Sequence, residues 1–290
     1  MRLALIGVGL IGASAAWAMK RGSVFETVSA FDLSAQSARK AVEMGIADTA
    51  ADTLEACVQG ADAVLVAVPV LDIEKVMAQI EPFLRDETLV TDVGSVRGVV
   101  IEGARRALKE KFVNYAPVHP IAGGEMPGVD YADADLFVGA KAISTPVADI
   151  GDRAVQFWEN AWKTAGSDLL RMTPEEHDAV FASVSHLPHL LSYAMVDSIL
   201  NTGSAERKLS LAGAGFRDFT RIAASSPEMW VDIFRANKKA VLEALSYFEK
   251  DLALLRQAVE NDEVEVTRAI FARAAEARRR IAPHLPPKRK

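Results

Sequence analysis

The chain is nearly without cysteine: Cys57 is the only one in 290 residues. One thiol forms no internal disulfide, so the composition points to a reducing compartment, and the cytoplasm is the expected location. Cys57 falls in an amphipathic stretch and reads as a small buried apolar residue. An excess of positive charge is also missing. The 33 Lys and Arg against 39 Asp and Glu leave a formal net charge of −6. That argues against nucleic acid as a partner. The one basic cluster, Lys288-Arg289-Lys290, follows Pro286-Pro287 and reads as a solvated terminus. No apolar run reads as long enough to span a membrane, so no membrane partner is expected. The first residues read as a strand rather than a signal peptide. There is no internal repeat and no low-complexity segment.

What is present is ordinary globular composition, 50% hydrophobic and 25% charged, with length for one large or two medium domains. Residues 2–6 form a short apolar run. Gly7, Gly9 and Gly12 follow as G-x-G-x-x-G, with Leu10 and Ile11 between the last two, and open an alanine-rich helix over 11–20. A second apolar run, 28–31, ends at Asp32. Strand, glycine turn, helix, strand, acid is the context in which this spacing marks a dinucleotide site. Gly7 permits the tight turn, Gly9 admits the pyrophosphate to the backbone, and Gly12 lets the helix pack on the strand. The pyrophosphate then meets the N–H groups and positive dipole end of the helix. Asp32 accepts hydrogen bonds from the ribose hydroxyls and repels a 2′-phosphate, which favours NAD over NADP.

The grammar changes at Thr173. Before it, β-like runs at 3–6, 28–31, 63–68, 89–92, 112–117 and 140–144 alternate with helical stretches at 55–59, 73–83 and 99–109. A helix over 151–165 and a strand over 168–171 finish the series. This predicts an α/β dinucleotide-binding domain of the Rossmann type, over 1–173, with a doubly wound, mostly parallel sheet. The run at 63–68, Ala-Val-Leu-Val-Ala-Val, is apolar throughout, as a strand covered on both faces must be. From Thr173-Pro174-Glu175-Glu176, read as N-cap, N1 proline and acidic first turn, only helical periodicity remains. One long helix is expected from Ser226 to about Leu255 and another over 262–280. The expected second domain, 174–290, is all-α.

Candidate chemistry sits in loops at the carboxyl ends of the strands. One holds Asp92-Val93-Gly94-Ser95-Val96-Arg97. The other runs from His119-Pro120 to Glu125-Met126-Pro127-Gly128. His119, expected at a strand end, is the candidate general base, because imidazole suits proton uptake near neutral pH. Among the helices, His177, His186 and His189 form a second group. His186 and His189 share a helix face, and Pro188 between them should weaken or kink the helix. No cysteine or clear carboxylate set completes a metal site there, so no metal is expected and the pair reads as a polar pocket wall. Arg217 and Arg221 share a face near a glycine turn, with Asp218 three before Arg221. They suit a carboxylate-bearing ligand or, alternatively, an internal salt bridge. Trp230 reads as core.

Taken in order, Gly7-x-Gly9-Leu10-Ile11-Gly12, Asp92-Val93-Gly94-Ser95, His119-Pro120-Ile121-Ala122-Gly123, Ser185-His186-Leu187-Pro188-His189, Phe216-Arg217-Asp218-Phe219-Thr220-Arg221-Ile222-Ala223 and Pro227-Glu228-Met229-Trp230 resemble the prephenate/arogenate (cyclohexadienyl) dehydrogenase family of tyrosine biosynthesis over nearly the whole length. The resemblance implies NAD-dependent oxidative decarboxylation of a cyclohexadiene and a homodimer built on the helical domain. It implies that His119 bonds the ring hydroxyl as the catalytic histidine and that Ser95 orients that hydroxyl and the nicotinamide. It implies that Arg221 grips the ring carboxylate. His189 and Glu125 then line the side-chain end of the pocket, with His186, Asp218 and Trp230 in support. One departure is Met126-Pro127-Gly128, where many members carry Lys-Ser-Gly or similar; it leaves the choice between prephenate and arogenate open. Two other readings compete. A β-hydroxyacid dehydrogenase of the same build would carry a lysine on the first long helix of the second domain, and none stands between Thr173 and Leu200. An NAD-sensing regulator would need the glycine fingerprint but not His119, Ser95 and Arg221 together.

Overall fold

A computed structural model of the chain describes residues 1–124 and 126–282. Glu125 and the cluster Lys288-Arg289-Lys290 lie outside the described residues. The first part runs β1 (Arg2–Ile6), α1 (Leu10–Arg21), β2 (Thr27–Phe31), α2 (Ala35–Glu43), β3 (Thr49–Ala50), α3 (Leu54–Val58), β4 (Ala63–Val66), α4 (Ile73–Ile80), β5 (Leu89–Asp92), α5 (Gly98–Leu108), β6 (Tyr115–Ile121), β7 (Lys141–Ser144), α6 (Asp152–Thr164) and β8 (Asp168–Arg171). Helices α7 (Pro174–Phe181), α8 (Leu187–Leu200), α9 (Ala205–Ser210), α10 (Ala214–Thr220), α11 (Pro227–Ala236), α12 (Lys238–Glu260) and α13 (Val264–Ile281) follow.

Among the described residues the eight strands form one sheet, ordered β3-β2-β1-β4-β5-β6-β7-β8. All pairings are parallel except β6 with β7. The order reverses between β1 and β4, where crossovers leave to opposite faces and open a crevice at the carboxyl ends. Every residue of β4 and β5 is buried, as their unbroken apolar or small character requires. One face carries α1, α2 and α6, whose Trp158 and Trp162 pack fully buried with Phe25 and Phe137. The other carries α3, α4 and α5, with Trp230 and Ile233 of α11 joining the same core.

Several expected boundaries move. The strand expected over 112–117 is Tyr115–Ile121, since Phe112 lies in a turn of 3₁₀-helix. His119 therefore stands inside a strand rather than past its end, opposite Ile143 of β7. Here β6 changes partners: Tyr115 to Pro117 pair with β5, and Val118 to Ile121 pair with β7. The helix expected from Ser226 to about Leu255 breaks at Asn237 into α11 and α12. Asn237 leaves helical geometry, and its side-chain amide is drawn inward to Asp178 O at 2.8 Å and His186 Nδ1 at 3.1 Å. Ahead of Pro188, residues Ala182–His186 widen into a turn of π-helix rather than a simple kink. The helical stretch Pro174–Leu200 is, by length and composition, long and apolar enough to cross a bilayer, which corrects the sequence expectation. It also carries a buried His177 and His186 hydrogen-bonded to protein partners.

By packing, the chain divides into two compact units, Met1–Lys238 and Lys239–Lys290. Helices α7 to α11 thus belong to the same unit as the sheet. The second unit holds most of α12 together with α13. Asp262 takes a left-handed conformation between them, and the Glu263 N–H returns to Ala258 O at 2.8 Å. Leu252, Val259 and Phe271 of this unit are each more than half exposed.

Candidate active site

The glycine turn has the geometry its spacing predicts. Gly7 has φ +91°, and a Cβ there would stand 2.4 Å from the Ala67 carbonyl oxygen. A Cβ on Gly12 would stand 2.3 Å from Gly7 O and 2.7 Å from the Ala67 methyl, so helix and strand meet at this contact. Gly9, at the start of α1, has nothing within 4 Å of a Cβ position, and no side chain caps the helix. This open, uncapped N-terminus fits a pyrophosphate. Asp32 is pinned at the tip of β2 by the Val8 N–H at 2.7 Å and the Ser34 N–H at 2.8 Å. Each carboxylate oxygen keeps lone-pair capacity for a ribose hydroxyl. Leu33 beside it is fully open to solvent.

At the end of β5 the chain wraps around a buried charge. Asp92 accepts from the Gly94 N–H at 2.6 Å, from Arg97 Nη2 at 2.7 Å and from the Tyr115 hydroxyl. Both charged side chains are fully buried. Burial and the Asp92 anion push the Tyr115 phenol well above its ordinary range. Burial works against the Arg97 cation, but Asp92 more than offsets it. Glycine is required at 94, because a Cβ would stand 2.8 Å from Asp92 Oδ1. Ser95 follows, half-buried in the turn before α5.

His119 is half-buried on β6, and its Nδ1 lies 2.9 Å from His177 Nε2. His177 is fully buried, and its own Nδ1 lies 2.9 Å from Asp178 Oδ1. Asp178 also accepts from the Arg97 N–H at 2.7 Å and the Gly98 N–H at 2.9 Å, where α5 begins. Phe181 closes one side, with ring centroids 5.1 Å from His119 and 4.4 Å from His177. Burial, then the neighbouring His177 and the Arg97 cation, hold His119 well below the ordinary histidine range. Burial lowers His177 as well, against the opposing pull of Asp178. Burial would raise the Asp178 carboxyl, but the His177 hydrogen bond and the two backbone N–H groups outweigh it and keep the group ionised.

A second cluster lies on α8 and α11. The His189 ring stacks on Trp230 with centroids 3.6 Å apart, and His189 Nδ1 donates to Ser185 O at 2.8 Å. That leaves Nε2 as an acceptor. His186 is buried against Asn237 and the edge of Trp230, and burial lowers its pKa to about 4. Trp230 is buried, as a core residue would be, yet both histidines touch it. Arg217, Asp218 and Arg221 stand exposed on α10 and the turn after it, with Arg217 Nε 3.4 Å from Asp218 Oδ1. Arg221 is near enough to His189 for its charge to lower the imidazole pKa, behind burial as the main cause.

The loop after β6 returns to the glycine turn: a Cβ on Gly124 would stand 3.2 Å from Leu10 Cδ2. The structure thus joins the fingerprint with the loop that follows His119, and His186, His189 and Trp230 with one another. Glu125 lies outside the described residues. Among the described residues no group of three His, Cys, Asp or Glu side chains is arranged to hold a metal. Sequence reading passed over His177, Asp178, Arg97 and Asn237 as site residues. Asp178 sits in the first turns of α7, where acidic residues are expected for helix reasons alone, and nothing in the spacing ties it to Gly98. A His-Asp pair beside the expected domain junction was the available signal.

Two family models match the chain: the nucleotide-binding domain of prephenate dehydrogenase over residues 15–170, and its dimerization domain over residues 173–273. The cyclohexadienyl dehydrogenase of Zymomonas mobilis is 34% identical over 95% of this chain and 94% of its own. The prephenate dehydrogenase of Bacillus subtilis is 34% identical over 90% of this chain and 71% of its own. A crystal structure of prephenate dehydrogenase from A. aeolicus, in complex with hydroxyphenyl propionate and NAD+, superposes with a TM-score of 0.91 at 32% identity, covering 97% of this chain and 98% of that one. With full-length likeness of sequence and fold together, the chain belongs to the prephenate dehydrogenase family.

Proposed function

We propose that this protein oxidatively decarboxylates prephenate, arogenate or both, with NAD+, to 4-hydroxyphenylpyruvate or tyrosine, CO₂ and NADH. The observation that carries the reading is His119, lined up behind His177 and Asp178 on the same carboxyl edge of the sheet as an open glycine turn. Residues 1–173 hold the dinucleotide, through Gly7, Gly9, Leu10, Ile11, Gly12 and Asp32. Residues 174–290 supply the substrate groups and the dimer contact.

When bound, NAD+ supplies the hydride acceptor for the ring carbon that bears the hydroxyl. His119 takes the hydroxyl proton, and its depressed pKa keeps it neutral and ready to do so near pH 7. Ser95 orients the hydroxyl, and Arg221 pairs with the ring carboxylate through its planar fork. Loss of that carboxylate as CO₂ aromatises the ring and makes the step effectively irreversible. His189 presents an acceptor nitrogen toward the side-chain end of the substrate, steadied by the Trp230 stack. His186 and Asp218 support this wall, and Glu125 is assigned to it by family resemblance alone.

The family's dimerization domain and the exposed Leu252, Val259 and Phe271 support a homodimer, and the reading places it in the cytoplasm. The deciding experiment is a spectrophotometric NADH assay with prephenate and with arogenate, each with NAD+ and NADP+. Turnover of at least one substrate, with higher kcat/KM for NAD+, is expected from Asp32. No turnover of either would reject the activity, and equal or better use of NADP+ would reject the role of Asp32. A monomeric mass at micromolar concentration would reject the dimer.

A further inference from the structure

The His119–His177–Asp178 chain has a direction, and the direction follows from its last member. Asp178 is ionised and can only accept hydrogen bonds. Its Oδ1 already takes the Arg97 N–H, and its Oδ2 takes the Gly98 N–H at the first turn of α5, an 11-residue helix whose positive end favours the anion. At 2.9 Å from that oxygen, His177 Nδ1 must carry a proton. A neutral imidazole bears one proton, so His177 Nε2 is then bare and accepts. At 2.9 Å from it, His119 Nδ1 must be the donor. That leaves Nε2 of His119 with its lone pair free.

Resting on the reading of His119 as the proton acceptor, we propose that His177 and Asp178 are a positioning dyad that holds His119 in its Nδ1–H tautomer and so keeps Nε2 bare for the substrate hydroxyl. The rest of the surroundings agree. Phe181 packs against both rings and limits their rotation. The Asn237 amide ties down the backbone carbonyl of Asp178 itself. The charged and titratable groups facing the chain are few. Arg97, with its partners Asp92 and Tyr115, lies on the β5 and β6 side, and His186 lies on the π-turn. The Arg97 cation disfavours a second positive charge, so the resting chain is neutral at both imidazoles. Once Nε2 takes the proton, the Asp178 carboxylate two hydrogen bonds away offsets the new imidazolium charge. This is the logic by which a buried aspartate sets the tautomer of a catalytic histidine, extended by one imidazole.

The test reads the tautomers directly. In the full-length protein labelled with ¹⁵N-histidine at pH 8, His119 and His177 should both show a protonated Nδ1 and a bare Nε2, with His119→Asn assigning the signals. Asp178→Asn presents an amide where the anion was and should flip or mix the tautomers. It should lower the plateau kcat by about 10–10²-fold, less than the ~10⁴ seen when such an aspartate contacts the base directly. It should also move the acid limb of the pH–kcat profile to lower pH, because a negative charge near His119 is lost, with the dissociation constant for NAD+ unchanged. His177→Gln keeps an amide oxygen for the His119 Nδ1–H and should retain more activity than His177→Leu. A purely structural role would lower the melting temperature of Asp178→Asn and leave the acid limb of the folded enzyme where it was, which would overturn the proposal. So would an Nε2–H signal for His119 in the active wild-type enzyme. An enzyme inert to prephenate and arogenate whose histidines nevertheless show the stated tautomers would reject the activity while supporting the dyad.

Discussion

His119, His177 and Asp178 are held by bonds that end inside the protein, whereas Arg217, Asp218 and Arg221 stand exposed on a seven-residue helix and the turn after it. The contrast separates two tasks. Proton transfer needs one tautomer at one orientation, and burial on a sheet supplies both. Gripping a carboxylate needs a charge that a ligand can reach, and an exposed arginine supplies that at the cost of solvent competition. Energy for the first arrangement comes from folding, and energy for the second comes from binding.

The largest effect is expected on the buried side. His119→Asn should lower kcat by roughly 10²–10⁴ while NAD+ affinity, measured by fluorescence titration, stays within about twofold. Near-normal turnover would remove His119 from the mechanism and dissolve the comparison.

Next comes the pH dependence of stability, which should follow the buried histidines. The folded pKa of His186 is about 4 against an ordinary 6.5, so the unfolded chain takes the proton first. Its contribution is complete above pH 6.5 and is lost as the pH falls toward 4, on the order of 3 kcal/mol for this residue. His119, His177 and His189 are lowered too and act in the same direction. The melting temperature should therefore drop steeply between pH 7 and 4.5, and a flat curve over that range would contradict their burial as neutral groups.

The smallest effect belongs to the exposed side. Arg221→Ala should raise the KM for substrate by about tenfold, toward the low end for lost charge pairs because the site is solvated. The melting temperature should hardly move, and lysine should rescue only in part. An unchanged KM with a lowered melting temperature would make Arg221 a structural partner of Asp218 instead.

Much of the sheet half was legible because its signals are local. Gly7, Gly9, Gly12 and Asp32 announce themselves by spacing, and the all-apolar run at 63–66 can only be a strand covered on both faces. The break at Asn237 was not legible, since a polar residue within a long helical pattern reads as solvent-facing until a buried carbonyl and imidazole are found beside it. Nor was the strand through Pro117, His119 and Pro120. Two prolines argue against a strand interior, and only the change of partner from β5 to β7 makes room for both. His177 and Asp178 escaped for a related reason. Their meaning lies in contacts to residues 58 and 80–81 positions away, which no local pattern encodes.

The π-turn over Ala182–His186 gives this stretch an unusual relation to chain length. An ordinary helix rotates by about 100° per residue, so dropping one residue from the turn would restore a regular helix and swing everything beyond it by that angle. His189 would leave its stack on Trp230, and His186 would leave Asn237. Point substitutions around residues 182–186 are local events, each answered by its neighbours. A one-residue deletion there would yield a better helix and a dismantled pocket wall, so the extra residue is a spacer whose value is angular rather than chemical.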